Sequence, residues 1–326
     1  MKEIVFNNPN VLGRSWYLLA SSIEVPKGKV IKTQLHDREL VVFRGDNSKT
    51  SVLSGFCSHF GAHLGNGKVI GNTIQCSFHH WIYDQNGQCV DIPFQSKEIS
   101  KQVKIFSYPV QEKYGFIWVF NGEKPLFPLP DFQNKGKPIL LKNKILKCHP
   151  HLLTMNGLDI QHFKTVHHLD FIAEPQITQT NNFSIRLNLE IKISRKNIFE
   201  KLIYLLSQSQ TLKASFTTWG SNMASIETNI GKLPVCVLFT HRLTLEGGSY
   251  SQTFLFLPTI KKLRWIFRLD LVIRFIVKFL LGCLLVGDIK ILENLKFENP
   301  KFLKVDSPLK MFISLVEELG YFSPGL

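Results

Sequence analysis

Cys57, His59, Cys76 and His79 are the residues of this chain best suited to chemistry. They spell C-x-H, sixteen intervening residues, then C-x-x-H, within CSHFGAHLGNGKVIGNTIQCSFHH. Two thiols and two imidazoles so close in sequence can serve a disulfide, a zinc ion or an iron–sulfur cluster. A zinc finger keeps its cysteines together and its histidines together, whereas here each of two short loops supplies one of each. A two-iron cluster with thiolates on one iron and imidazoles on the other needs that distribution, and imidazole raises its potential. Gly61, Gly65, Gly67 and Gly87 permit tight loops around such a group. His63 and His80 are read as loop residues, and Cys89, Cys148, Cys236 and Cys283 as structural thiols.

A second constellation follows. Asn156, Asp159, His162 and His167 spell N-x-x-D-x-x-H-x-x-x-x-H. Asp159 and His162, three apart, are expected on one helix face. His167 lies five further on, so the helix must turn or loosen for both imidazoles to reach one ion. Asp270, Asp288, Glu293 and Glu298 are the carboxylates that could join them. Two histidines and one carboxylate on one face of iron(II) leave three positions open, the arrangement of non-haem oxygenases. His168 and the run CHPH (148–151) are read as structural.

The elements that must position these groups divide the chain. The first 125 residues read as short strands with turns, at 15–21, 39–44, 103–110 and 114–120. The proline-rich stretch 121–138 marks a linker. Beyond it, 151–171 fits a helix. Phe183, Ile185, Leu187, Leu189, Ile191 and Ile193 then alternate as a strand with one buried face. SFTTW, NMASIETNI, PVCVLFTHRLT and YSQTFLFLP continue as antiparallel strands, and 263–296 is expected to close the chain as an amphipathic helix. The fold class is α+β, with domains over 1–125 and 126–326.

With 326 residues, 44% of them hydrophobic, the chain can bury two cores. Six cysteines make no disulfide scaffold, and Glu3, Asn7, Asn8 and Pro9 interrupt any apolar leader, so a reducing cytoplasm is expected. The net charge of +14 is spread along the chain. It lacks the dense basic block of a nucleic-acid arm and suits either an acidic electron donor steered in by charge or a merely solubilising surface. In the apolar segment 264–288, the longest uncharged run, Phe279 to Gly287, is nine residues. A spanning helix needs about 20. Arg264, Arg268, Asp270, Arg274 and Lys278 fall within an arc of roughly 160°, which predicts a core helix with a solvated face or a peripheral membrane contact.

The stretch CSHFGAHLGNGKVIGNTIQCSFHHWIYDQNGQCVDIP resembles the Rieske domain of the Rieske non-haem iron oxygenases. It is most similar to the branch containing cholesterol 7-desaturases and 3-ketosteroid 9α-hydroxylases, where the pattern runs C-x-H-x-G-A-x-L, C-x-F-H-x-W and G-x-C-x-x-I-P. Ser58 and Ser77 stand where a proline commonly follows each cysteine; neither position supplies a ligand. The resemblance implies an all-β Rieske domain, then a helix-grip-type catalytic domain with an antiparallel sheet and a long C-terminal helix. It implies a [2Fe-2S] cluster on Cys57, His59, Cys76 and His79. It also implies a mononuclear Fe(II) on His162, His167 and Asp288, the last matched within GDIKILEN. Asn156 and Asp159 are carried over as catalytic residues, with Asp159 linking one subunit's iron to the neighbour's Rieske histidine in a homotrimer. No G-x-G-x-x-G occurs, so electrons from NAD(P)H must come through a separate ferredoxin or flavin reductase. A small apolar substrate, a sterol, terpenoid or aromatic, would be hydroxylated or desaturated. The competing readings are an arylamine N-oxygenase with the same metal sites, a Rieske electron-transfer protein without oxygenase chemistry, and a colourless zinc module.

Overall fold

The computed structural model describes residues 3–95, 98–132, 136–195, 198–258, 275, 278, 279, 282 and 287–324. They form two compact units, one of Leu12–Leu129 with Tyr321–Leu326 and one of Met1–Val11 with Pro130–Gly320.

The first unit is all β. Its strands are β1 (Trp16–Ser21), β2 (Val30–Leu35), β3 (Arg38–Arg44), β4 (Thr50–Ser54), β5 (Lys68–Ile70), β6 (Thr73–Gln75), β7 (Ile82–Tyr83), β8 (Cys89–Asp91), β9 (Ser107–Tyr108), β10 (Val110–Lys113) and β11 (Phe116–Phe120). They make three antiparallel sheets in the orders β1-β11-β10, β2-β3-β4-β9 and β5-β6-β7-β8. Val41, Phe43, Leu53, Leu64, Ile74 and Tyr83 pack one core together with the Cys57 and Cys76 thiols. The strand expected over 103–110 is reduced to Ser107–Tyr108 and the first residue of β10, Val110, with Pro109, which lacks the N–H to continue the ladder, between them. The C-terminal residues belong here: the Phe322 carbonyl accepts from Arg38 at 2.6 Å and from Asn121 at 3.3 Å.

The second unit is built on one antiparallel sheet. Its strands are β12 (Lys137–Leu146), β13 (Asp170–Phe171), β14 (Gln176–Asn181), β15 (Ser184–Lys192), β16 (Thr211–Trp219), β17 (Met223–Ile230), β18 (Leu233–Leu243) and β19 (Ser249–Leu257). They run in the order β12-β19-β18-β17-β16-β15-β13, with β14 also on β15. The alternation read in 183–193 is realised: Ile185, Leu187, Leu189 and Ile193 are buried. Three helices interrupt the strands, α1 (Pro150–Asn156), α2 (Ile160–Thr165) and α3 (Ile198–Ser207), and a helix at Ser307–Leu319 follows the sheet. The amino-terminal strap is pinned to that last helix, because the Glu317 carboxylate accepts from the Val5 and Phe6 N–H groups at 3.0 and 2.7 Å.

One expectation for the helices is corrected and another lies mostly outside the described residues. The helix expected over 151–171 is two short ones. Gly157 ends α1, Asp159 caps α2, and 170–171 pairs as strand with β15. An aspartate side chain that can bond a nearby N–H favours a cap over a helix interior. The helix expected to close the chain over 263–296 falls mostly outside the described residues; residues 287–292 are helical, and the closing helix is Ser307–Leu319. Of the amphipathic segment 264–288 only residues 275, 278, 279, 282, 287 and 288 are described, and Cys283 lies outside the described residues. Among the described residues no helix is long and apolar enough to cross a membrane.

Candidate metal centres

In the first unit, β4 leads into one loop and the β6–β7 connection forms a second. Each is closed in the same way: the Cys57 N–H donates to the Ala62 carbonyl at 2.9 Å and the Cys76 N–H to the Trp81 carbonyl at 2.8 Å. Gly61 adopts a φ of 70°, which a side chain would strain. A Cβ on Gly67 would stand 2.0 Å from the Gln75 carbonyl oxygen, so that position requires the loop to approach β6 bare. The His59 and His79 rings lie 4.6 Å apart, and His59 stacks flat on Trp81 at 4.4 Å. All described cysteines are free thiols, which excludes a Cys57–Cys76 disulfide.

Burial pushes the Cys57 thiol up, partly offset by the Tyr83 hydroxyl 3.1 Å from its sulfur, and the Cys76 thiol raises it further. His59 Nδ1 is buried with no hydrogen-bond partner among the described residues. Two buried thiols and an orphaned imidazole nitrogen are a poor arrangement for packing alone. They suit a group that takes thiolate and imidazole ligands and releases protons on binding. His63 has other work: its Nδ1 accepts from the Gly65 N–H at 2.9 Å and its Nε2 meets Glu39 at 3.0 Å. Exposed His80 occupies a left-handed turn position, φ 59°.

In the second unit, α2 carries His162 and its C-terminal turn delivers His167. The Asp159 carboxylate accepts from the His162 N–H at 3.0 Å and so caps α2, rather than sharing a helix face with it as expected. Gln161 ties the same helix to Asp306 at 2.8 Å. The helix then loosens as required: the His167 N–H reaches back five residues to the His162 carbonyl at 3.5 Å. His168 follows with φ 53°, ending the helix.

His162, His167 and Asp288 converge. Their ligand atoms form a nearly equilateral triangle: His162 Nε2 to His167 Nε2 3.0 Å, His162 Nε2 to Asp288 Oδ1 3.0 Å, His167 Nε2 to Asp288 Oδ1 2.9 Å. An ion bonded at about 2.1 Å in octahedral geometry holds neighbouring ligands about 3.0 Å apart. Burial alone would raise the Asp288 carboxyl, but the two imidazoles outweigh it and lower it from 3.8 to about 2. Asn156 Nδ2 stands 3.4 Å from His162 Nε2. The other carboxylate candidates do not join the triangle: Glu293 pairs with Lys144 at 3.0 Å, Glu298 is exposed, and Asp270 lies outside the described residues. The run 148–151 is structural, with His149 capping α1 and His151 stacked on Phe6.

His167 and Asp288 border a cavity of about 420 Å³ enclosed by the sheet, α2 and 287–292. Its walls come mainly from alternate residues of β15 to β18, among them Ile191, Leu212, Ile226 and Val237. His241, Ser251 and Thr253, not singled out in the sequence, line it too. The signal was present: Val235, Val237, Phe239 and His241 alternate along β18, so a polar residue ends an otherwise apolar row.

Residues 15–109 match the Rieske [2Fe-2S] domain family. Over 127 residues the chain is 38% identical to the aminopyrrolnitrin oxygenase of Pseudomonas fluorescens, covering 37% of this chain and 35% of that protein. Over 170 residues it is 30% identical to a probable 3-ketosteroid-9-alpha-monooxygenase oxygenase component of Rhodococcus rhodochrous, covering 49% and 42%. The matches therefore span less than half the length of these relatives. The fold is similar over 95% of this chain and 98% of the other to dicamba monooxygenase bound to dicamba, with a TM-score of 0.70 and 17% identity. Residues 15–109 therefore carry a Rieske [2Fe-2S] domain, in a chain whose fold is similar to that of dicamba monooxygenase. The Rieske domain lies in the amino-terminal β unit and the sheet-rich unit follows it, as the sequence led one to expect.

Proposed function

We propose that this Rieske oxygenase is a terminal oxygenase component that uses dioxygen and electrons from NAD(P)H, passed on by a ferredoxin or flavin reductase, to hydroxylate or desaturate a small apolar substrate. The observation that carries the reading is the triangle of His162, His167 and Asp288, whose edges suit one face of an octahedral ion and would leave its opposite face to other ligands. An iron(II) there supplies the dioxygen chemistry that no side chain can perform. Cys57, Cys76, His59 and His79 would hold the cluster, and the Tyr83 hydroxyl, 3.1 Å from the Cys57 sulfur, is placed to donate to it once it is a thiolate. Asp288 stays ionised and neutralises part of the ion's charge. Phe163 and Val166 beside His167 keep the cavity apolar and exclude water. Asp159 fixes the start of α2 and hence His162, and in a homotrimer serves the path of electrons from the neighbouring subunit. A cytoplasmic location completes the reading.

Metal and sulfide analysis tests it. The expected content is about three irons and two labile sulfides per chain. Two irons and two sulfides would support an electron carrier instead, and a colourless protein holding zinc would refute both. The likeness to an aminopyrrolnitrin oxygenase favours, as a second reading, oxidation of an arylamine nitrogen at the same iron. Product analysis by mass spectrometry with an arylamine and a hydrocarbon substrate separates the two.

Asp159→Ala removes a helix cap worth about 1 kcal/mol. The expected outcome is an unchanged cluster spectrum with coupled turnover lost. Asp159→Asn still caps; if it restores turnover, Asp159 serves only as a cap. Full turnover in the alanine variant would remove both roles.

A further inference from the structure

The cavity has a polar strip that metal binding does not use. Register aligns Lys144, Ser251 and His241 across β12, β19 and β18, and Lys142, Thr253 and Phe239 in the neighbouring row. Paired residues of antiparallel strands project from the same face, and all six line the cavity. The remainder of this face is mainly apolar, with Thr228 its other polar residue, and the Thr228 hydroxyl already donates to the Lys213 carbonyl at 2.8 Å.

His241 is buried, and burial alone depresses its imidazole to about 3, so it is neutral at pH 7. Its Nδ1 lies 3.0 Å from the Ser251 hydroxyl, which fixes the ring. Its Nε2 and the Thr253 hydroxyl make no hydrogen bond among the described residues and are not fully enclosed, so both are open to the cavity that their residues line. Lys144 is neutralised by Glu293 at 3.0 Å, and Lys142 is exposed. The strip therefore offers neutral hydrogen-bonding groups without a free buried cation. A carboxylate placed against it would be desolvated without compensation, whereas a neutral oxygen would satisfy the orphaned nitrogen.

We infer that the cavity takes an apolar molecule carrying one neutral oxygen function, a hydroxyl or carbonyl, seated against His241 and Thr253. This deepens the oxygenase reading and rests on it only in that the metal triad borders the same cavity.

The test compares naphthalene, 2-naphthol and 2-naphthoate as ligands of the full-length holoprotein under anaerobic conditions, by fluorescence titration. 2-Naphthol is expected to bind about tenfold more tightly than naphthalene, the value of one well-made buried hydrogen bond, with 2-naphthoate weaker than 2-naphthol. In His241→Leu the naphthol-to-naphthalene ratio falls to about one. Ser251→Ala, which removes only the hydroxyl that fixes the ring, lowers the ratio about threefold and serves if His241→Leu does not fold. A preference for naphthol that survives both variants overturns the inference, and so does tightest binding by naphthoate, which would move the anchor to Lys142. Iron content measured on the same samples separates the two claims. A chain with two irons that still prefers naphthol refutes the oxygenase reading alone; a chain with three irons and no preference refutes this inference alone.

Discussion

Asp288→Ala is expected to lose the mononuclear iron and to cut turnover by at least about 100-fold, with the [2Fe-2S] absorption unchanged. The estimate is conservative, because loss even of groups that only support metal ligands costs about 10 to 100-fold. Asp288 is the sole carboxylate of the triangle, and its oxygen faces both imidazole nitrogens at about the same distance. Without it two neutral nitrogens must hold a dication, with no charge to offset. Asp288→Asn keeps the shape and removes the charge, so its iron content should fall as well, though less steeply. The measurement is iron and sulfide per chain with product formation on the same preparation. Three irons retained in Asp288→Ala would show that the third ligand lies elsewhere.

Gly157→Ala is expected to damage the same site without touching a ligand. Gly157 has φ −77° and ψ 0°, which alanine tolerates, so the substitution tests space alone. Its Cβ would lie 1.9 Å from Cε2 and 2.0 Å from Cζ of Phe216. That ring is buried and borders the cavity. Either the ring is driven into the cavity or the corner between α1 and α2 lifts, and the corner carries Asn156 and the Asp159 cap. Overpacking of this kind costs about 1 to 3 kcal/mol, or a melting temperature lower by roughly 3 to 10 °C for a unit of this size. Weaker substrate binding and partial loss of iron should accompany it. Adding Phe216→Leu should recover much of both, a coupling that a double-mutant cycle measures. Simple addition of the two effects would mean that the contact is relieved elsewhere.

Much of this was legible in the sequence because it is local. The two loops each carry one cysteine and one histidine, and the ligands of a loop lie within three residues of each other. The strands of the second unit show period-two alternation, which survives whatever packs against them. The break at Gly157 was less legible: 151–171 has helix-forming composition, and the reason for the break is Phe216, a residue 59 positions away by number. Asp159 was expected on one helix face with His162; its bond to the His162 N–H as a cap depends on the helix starting there, which the sequence did not show. The strip of Lys144, Ser251 and His241 could not be seen at all without the register of three strands. Helix Ser307–Leu319 was missed because the strongly apolar 264–288 drew the closing helix toward itself.

The strap bound to Glu317 sets the timetable of synthesis. The hydrogen bonds of Val5 span 312 positions, and the Rieske unit takes its last residues from beyond 320. A ribosome adding about 5 to 20 residues per second leaves the strap without its partner for roughly 15 to 60 s. Neither unit can therefore finish before residues 317–322 have been made, although amino-terminal domains ordinarily fold first. Sealing of both units waits for those residues, so a nascent chain stalled before them would hold two incomplete units rather than one finished and one missing.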